Sequence, residues 1–135
     1  MTVNTRMTSM PSPFIEHVNL TVREPERSAK LLLDLFDWKV RWMGPARDGG
    51  RTIHAGDDRF YIALYTPPAG TPAWDDFPKG EPLNHVAIVV DDLDEIERRV
   101  VAAGLEPFSH GDYEPGRRFY FFDYDRIEYE IVSYA

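Results

Sequence analysis

The stretch Phe14–Val22, FIEHVNLTV, alternates apolar and polar residues as a half-buried β-strand does, yet places His17 and Asn19 on one side. Side chains of one parity share a face of a strand. Val18, Leu20 and Val22 therefore form an apolar face suited to a helix, while His17, Asn19 and Thr21 form the other. The phrase returns as LNHVAIVV, Leu83–Val90. There Val86, Ile88 and Val90 make the helix-packing face, and His85, Ala87 and Val89 lie opposite.

The segments after these two strands repeat as well, and a repeat of this kind decides the fold. After the first strand, Pro25 fits the first position of a helix, where its missing N–H is not needed. Leu31, Leu32, Leu35 and Phe36 then recur at helical spacing. Three strands are expected at Trp38–Met43, Thr52–Ala55 and Arg59–Tyr65, with turns at Asp48-Gly49-Gly50 and Gly56-Asp57-Asp58. Residues 67–82 are dense in Pro and Gly and read as a linker. After His85–Val90, Asp91-Asp92 offers an N-cap for a helix over Leu93–Ala103. Leu93, Ile96, Val100 and Val101 are its expected buried stripe, and Gly104 its stop. Strands are expected at Glu106–Ser109, Arg117–Phe122 and Glu128–Ser133. Each half thus reads βαβββ, in modules 13–66 and 83–135 of one domain, 13–135. Residues 1–12 read as a disordered tail. The fold class is α+β: two modules forming a cup-shaped, mostly antiparallel sheet with helices outside.

Composition narrows the function. The chain has no cysteine, which excludes a disulfide framework, thiolate metal sites and a cysteine nucleophile. The formal charge of -8 and the interleaving of bases with acids leave no basic stripe for nucleic acid, nor for an anionic membrane surface. The N-terminal MTVNTRMTSMPSP lacks the apolar segment of a secretory signal, and no apolar run approaches the roughly 20 residues that span a bilayer. The cytoplasm is the simplest location.

On the last strand Ile127, Tyr129 and Ile131 share one face, and Glu128, Glu130 and Val132 the other. Two imidazoles and a carboxylate converging from three strands would make a 2-His-1-carboxylate site with open positions for a chelating substrate or O₂. A histidine on a half-buried strand also serves as a plain hydrogen-bonded residue, and no local metal motif such as HExxH is present. Arg118 and Tyr120 share a parity. Arg118 is placed to hold an anionic substrate group, or to be a solvated charge at a strand end. His110, in the Ser-His-Gly-Asp loop before the seventh strand, is a candidate acid–base group at the cup rim or a surface histidine. Asn19 and Tyr61 are candidate substrate contacts. Trp42, Tyr65 and Trp74 are candidate aromatic lining, and His54 is a further strand histidine.

The repeat and these positions resemble the vicinal oxygen chelate superfamily of glyoxalases, bleomycin-resistance proteins and extradiol dioxygenases, over about residues 14–133. The last hairpin, Asp123-Tyr124-Asp125-Arg126-Ile127-Glu128-Tyr129-Glu130, is similar to the family phrase D-P-D-G-N-x-(I/L)-E without its Pro, Gly and Asn. Asp37 likewise stands where glycine usually ends the first helix. The resemblance implies metal ligands at His17, His85 and Glu130. Where glyoxalase I carries a fourth ligand this chain has Ala63, so the implied set is that of the extradiol dioxygenases and fosfomycin-resistance enzymes. Both place a tyrosine ten residues before the glutamate, here Tyr120, a proton donor or hydrogen-bond donor to substrate. The resemblance implies Fe(II) or Mn(II) foremost, with Zn(II), Ni(II) or Co(II) compatible. It also implies a small-molecule substrate and a homodimer, with modules swapped or not. Extradiol-type dioxygenation is the first reading. A fosfomycin-type thiol transfer, a lyase or isomerase reaction, and metal-free drug binding are the alternatives.

Overall fold

The computed structural model describes residues 12–135; most of the expected tail, residues 1–11, lies outside the described residues. The elements run β1 (His17–Thr21), α1 (Pro25–Phe36), β2 (Lys39–Pro45), β3 (Arg51–Gly56), β4 (Tyr61–Thr66), β5 (Val86–Val89), α2 (Leu93–Ala102), β6 (Phe108–Tyr113), β7 (Gly116–Phe122) and β8 (Glu128–Ser133). They form two four-stranded mixed sheets of equivalent order, β1-β4-β3-β2 and β5-β8-β7-β6. The first strand of each module pairs parallel to the last, and the other pairs are antiparallel. No helix among the described residues is long and apolar enough to cross a membrane.

Each helix starts and stops for a visible reason. Pro25 opens α1, and Asp37 ends it in the left-handed conformation at φ 58°, with its N–H bonded to Leu33 O. Aspartate tolerates this region better than most residues, so it replaces the expected glycine. Asp92 caps α2 by accepting a hydrogen bond from Glu95 N at 3.1 Å, and Gly104 follows with φ 84°.

Most boundaries shift from expectation by one or two residues, and those of the first and sixth strands have a clear reason. The first strand begins at His17 rather than Phe14, because its partner β4 begins opposite His17. The sixth begins at Phe108 rather than Glu106, since Pro107 has no N–H for the ladder. It runs on to Tyr113 and so takes in the Ser-His-Gly-Asp segment expected as a loop. Val101, expected in the buried stripe of α2, is 58% exposed: the stripe is Leu93, Ile96 and Val100.

Leu20, Val22, Leu31, Leu32, Leu35, Ile53 and Leu64 from the first module share one core with Ile96, Val100, Phe119, Phe121, Tyr129 and Ile131 from the second. Polar ties reinforce the junction. Arg99 Nη1 donates to Leu35 O at 3.0 Å and to Asp37 Oδ2 at 3.2 Å. Asp125, in the β7–β8 turn, accepts from Arg23 N at 3.0 Å and Arg23 Nη1 at 3.2 Å. The turn closes without its usual glycine: Arg126 takes φ 63° and stacks on Phe122 at 4.0 Å. The cation–π contact offsets part of the conformational strain.

The same turn buries Asp123, whose Oδ1 accepts from Asp125 N at 2.8 Å and Ile127 N at 2.9 Å. Burial outweighs these bonds and pushes its carboxyl up to about 6. A raised acid stabilises the fold in its protonated form, fully below the unfolded value near 3.8, and the benefit is lost as pH rises through about 6. The shift corresponds to about 3 kcal/mol. Asp123→Asn keeps the accepting oxygen and cannot ionise. Denaturation at two pH values should therefore find the variant gaining on the wild type by about 2.5 kcal/mol between pH 4 and pH 8. An unchanged difference contradicts this.

Candidate functional site

The polar faces of the two sheets carry the candidate residues, and the structure brings some together and leaves others apart. In the second module, β8 lies between β5 and β7, so Glu130 is in register with Ala87 on one side and Tyr120 on the other. His85, just before the β5 ladder, reaches it: His85 Nε2 lies 3.0 Å from Glu130 Oε1. Arg118 Nη1 donates to the other oxygen, Oε2, at 3.0 Å. Tyr120 meets His85 edge-on at 5.7 Å between ring centroids. Burial, then the charge of Glu130, raises the Tyr120 phenol above its ordinary value, so it keeps its proton.

Asn84 belongs to this group and was missed in the sequence, although it adjoins His85. Asn84 Oδ1 accepts from Lys79 Nζ at 3.0 Å and lies 2.7 Å from His85 Nδ1. An accepting oxygen there keeps the proton on Nδ1 and presents Nε2 to Glu130. A bare Nε2 lone pair facing a carboxylate oxygen is repulsive, so the 3.0 Å approach calls for a cation between them, either a proton on Nε2 or a metal ion. Two donors about 2.1 Å from one ion and at right angles would lie about 3 Å apart. The pair fits such an ion.

His17 does not join this pair within the chain. It stands on β1, exposed, with Nδ1 2.9 Å from Glu16 Oε1. Its ring stacks on Tyr61 at 4.6 Å, and Tyr61 stacks in turn on His54 at 4.3 Å, with Trp42 tilted beyond at 5.3 Å. Burial, then His17 and Arg41, lowers His54 below the ordinary histidine value. Asn19 is exposed on the same face, in register with the buried Ala63. Among the described residues no group of three or more His, Cys, Asp and Glu side chains converges.

The remaining candidates lie elsewhere. His110 sits on β6 with Nε2 2.8 Å from Glu97 Oε2 of α2 and its ring near the core residue Phe119, so it faces the helix side and not Glu130. Trp74 packs against Arg23 at the module junction, and Tyr65 donates to Asp48. Beside the pair, β1 and β5 each leave one edge unpaired. Both edges border a cleft of about 720 Å³ lined by Val18, Ile62, Val86, Ile88 and Trp38.

The family model described as Glyoxalase/Bleomycin resistance protein/Dioxygenase superfamily matches residues 16–121. Among solved structures, a glyoxylase/bleomycin resistance protein/dioxygenase domain from Frankia sp. EAN1pec is 26% identical, with a TM-score of 0.78 over 91% of this chain and 98% of that one. The fosfomycin resistance protein FosX from Listeria monocytogenes, complexed with Mn(II) and sulfate, is 19% identical, with a TM-score of 0.68 over 92% of this chain and 93% of that one. A glyoxalase I mutant from Zea mays is 21% identical, with a TM-score of 0.73 over 88% of this chain and 45% of that one. No curated protein matches the sequence.

Proposed function

Because the chain belongs to the glyoxalase/bleomycin resistance protein/dioxygenase superfamily, we propose that it is a metal-dependent enzyme acting on a small molecule. In this reading it works as a homodimer, in which His17 of one copy joins His85 and Glu130 of the other. The observation that carries the reading is the His85–Glu130 pair, 3.0 Å apart and in need of a cation between its facing atoms. His17 supports the shared arrangement: it is exposed on an unpaired edge strand of the other sheet. Exposed Phe14, Ile15 and Val89 on and beside β1 and β5 give a second copy apolar surface to cover.

The donor set suits Fe(II) or Mn(II) foremost, and Zn(II), Ni(II) or Co(II) as well. When bound, the ion supplies Lewis-acid polarisation of two adjacent substrate oxygens. The chain's residues prepare that chemistry. Asn84 fixes the His85 tautomer, and Arg118 holds Oε2 of Glu130 so that Oε1 stays turned to His85. Tyr120 keeps its proton on Oη and offers it to a substrate oxygen as charge develops there.

Extradiol-type ring opening is the first reading of the reaction. It is favoured by three donors with Ala63 in place of a fourth, and by Tyr120 in register with Glu130. Thiol transfer to an epoxide is the second. It is favoured by a two-module chain that matches FosX over more than nine-tenths of both lengths. O₂ uptake with catechols under Fe(II), against thiol consumption with fosfomycin under Mn(II), separates them.

Elemental analysis after metal-replete purification should find about one divalent ion per chain, lost in His85→Ala and Glu130→Gln. Val89→Lys, placed on the exposed β5 edge, should yield a folded monomer that has lost the ion as well. A metal-free wild type that still binds a small molecule would replace the enzyme by a binding protein. A metal-loaded monomer would remove the shared site.

A further inference from the structure

Arg118 has more donors than partners. Its side chain is only 14% exposed, and Nη1 is taken by Glu130 Oε2 at 3.0 Å. Nε and Nη2 are buried and donate to nothing within the described residues. These two N–H groups lie on one edge of the guanidinium, the edge that receives two oxygens of a carboxylate or phosphonate in parallel. Leaving such donors dry is unfavourable, so two unpaired donors on one edge point to a ligand.

The neighbouring strand is shaped around this fork. Gly111 of β6 stands in register with Arg118. A Cβ on Gly111 would lie 2.6 Å from Cε1 of the Tyr113 ring. Glycine leaves room for Tyr113 to fold back across the strand, where its ring lies 5.0 Å from the guanidinium carbon of Arg118, and a methyl group would push the ring aside. That ring has one face on Arg118, in a residue that is 62% exposed overall. It is a cover held by stacking alone, since its hydroxyl makes no hydrogen bond with the described residues.

The charges around the fork are balanced for exchange. Glu130 neutralises Arg118 while it is also turned to His85. Glu128, the next carboxylate along β8, lies 3.6 Å from Lys79. Glu130 takes only Nη1, so the Nε and Nη2 hydrogens are left for a ligand, against an overall charge of -8 that would otherwise repel anions.

We propose that Arg118 is the docking point for an oxyanion of the ligand, a carboxylate or a phosphonate, and that Tyr113 is the aromatic cover that closes over it. The inference names the substrate class of the site proposed above and rests on that reading only for the ligand's role. The fork itself is complete within one chain and needs no metal.

The test uses the full chain stripped of metal, titrated calorimetrically with methylphosphonate and, separately, with acetate. Saturable binding of at least one is expected, with a shift of the Arg118 Nε–H resonance. The anion that binds more tightly identifies the group. Arg118→Lys keeps a charge on Glu130 but loses the fork, and should weaken binding about tenfold or more. Gly111→Ala expels the Tyr113 ring without touching Arg118. It should match Tyr113→Ala, with both weakening binding several-fold and speeding exchange, while Tyr113→Phe behaves as wild type. Absence of saturable binding to either anion overturns the proposal. So does undiminished binding in Arg118→Lys, and divergent effects of Gly111→Ala and Tyr113→Ala overturn the cover. A chain that takes up a divalent ion but no oxyanion sinks this inference alone. One that binds the oxyanion but no metal sinks the metal reading alone.

Discussion

Both sheets turn their apolar faces into a single core, and this constraint governs the rest of the molecule. Tyr129, Phe119 and Phe121 of the second sheet and Leu32, Leu35 and Leu64 of the first module are all but fully buried, within one cluster. Separating the modules would expose these side chains to water, at about 1.5–3 kcal/mol for each large residue uncovered. The polar ties of Arg99 and Asp125 lie across the same junction. Within that arrangement His17 stays in a different sheet from His85 and Glu130.

In the proposed site the second module would supply two donors and the first an exposed third. Glu130 is the hinge of that site because its two oxygens serve two neighbours, His85 and Arg118. Arg118 is the fixed cation beside this buried carboxylate, and removing it would leave an uncompensated charge. The donor in the first module sits at the end of a column of rings, His17, Tyr61, His54 and Trp42, that crosses all four strands of its sheet. Stacking fixes the imidazole plane of His17 before any partner arrives.

Much of this was legible in the sequence, for reasons that differ between residues. The strand parity of FIEHVNLTV and LNHVAIVV placed His17 and Asn19 on one face and Val18, Leu20 and Val22 on the other, because period-two alternation is a local property. The helix α1 was bounded as expected by Pro25 and Phe36. The partner of a strand is not local, so the start of β1 depended on where β4 begins, and Val101 was assigned to the core by spacing alone. The missing glycine at Arg126 was visible, but not the Phe122 stacking that accompanies its left-handed backbone. His110 was placed in a loop, and only its pairing with Glu97 of α2 shows which side of the sheet it faces. Asn84 and Gly111 carried no signal: one acts through the tautomer of its neighbour, the other through the space it leaves for Tyr113.

A site built from two copies can be tested by complementation between chains. His17→Ala and Glu130→Gln chains are each expected to lack metal as homodimers. When the two are mixed, unfolded and refolded together, half of the dimers should pair one chain of each kind. In such a heterodimer one site combines the intact His17 of one chain with the intact His85 and Glu130 of the other, while the second site carries both lesions. Purified heterodimers should then bind about one divalent ion per dimer, although neither parent binds any. Metal-free heterodimers, formed from chains whose wild type binds the ion, would show instead that each site is assembled within a single chain.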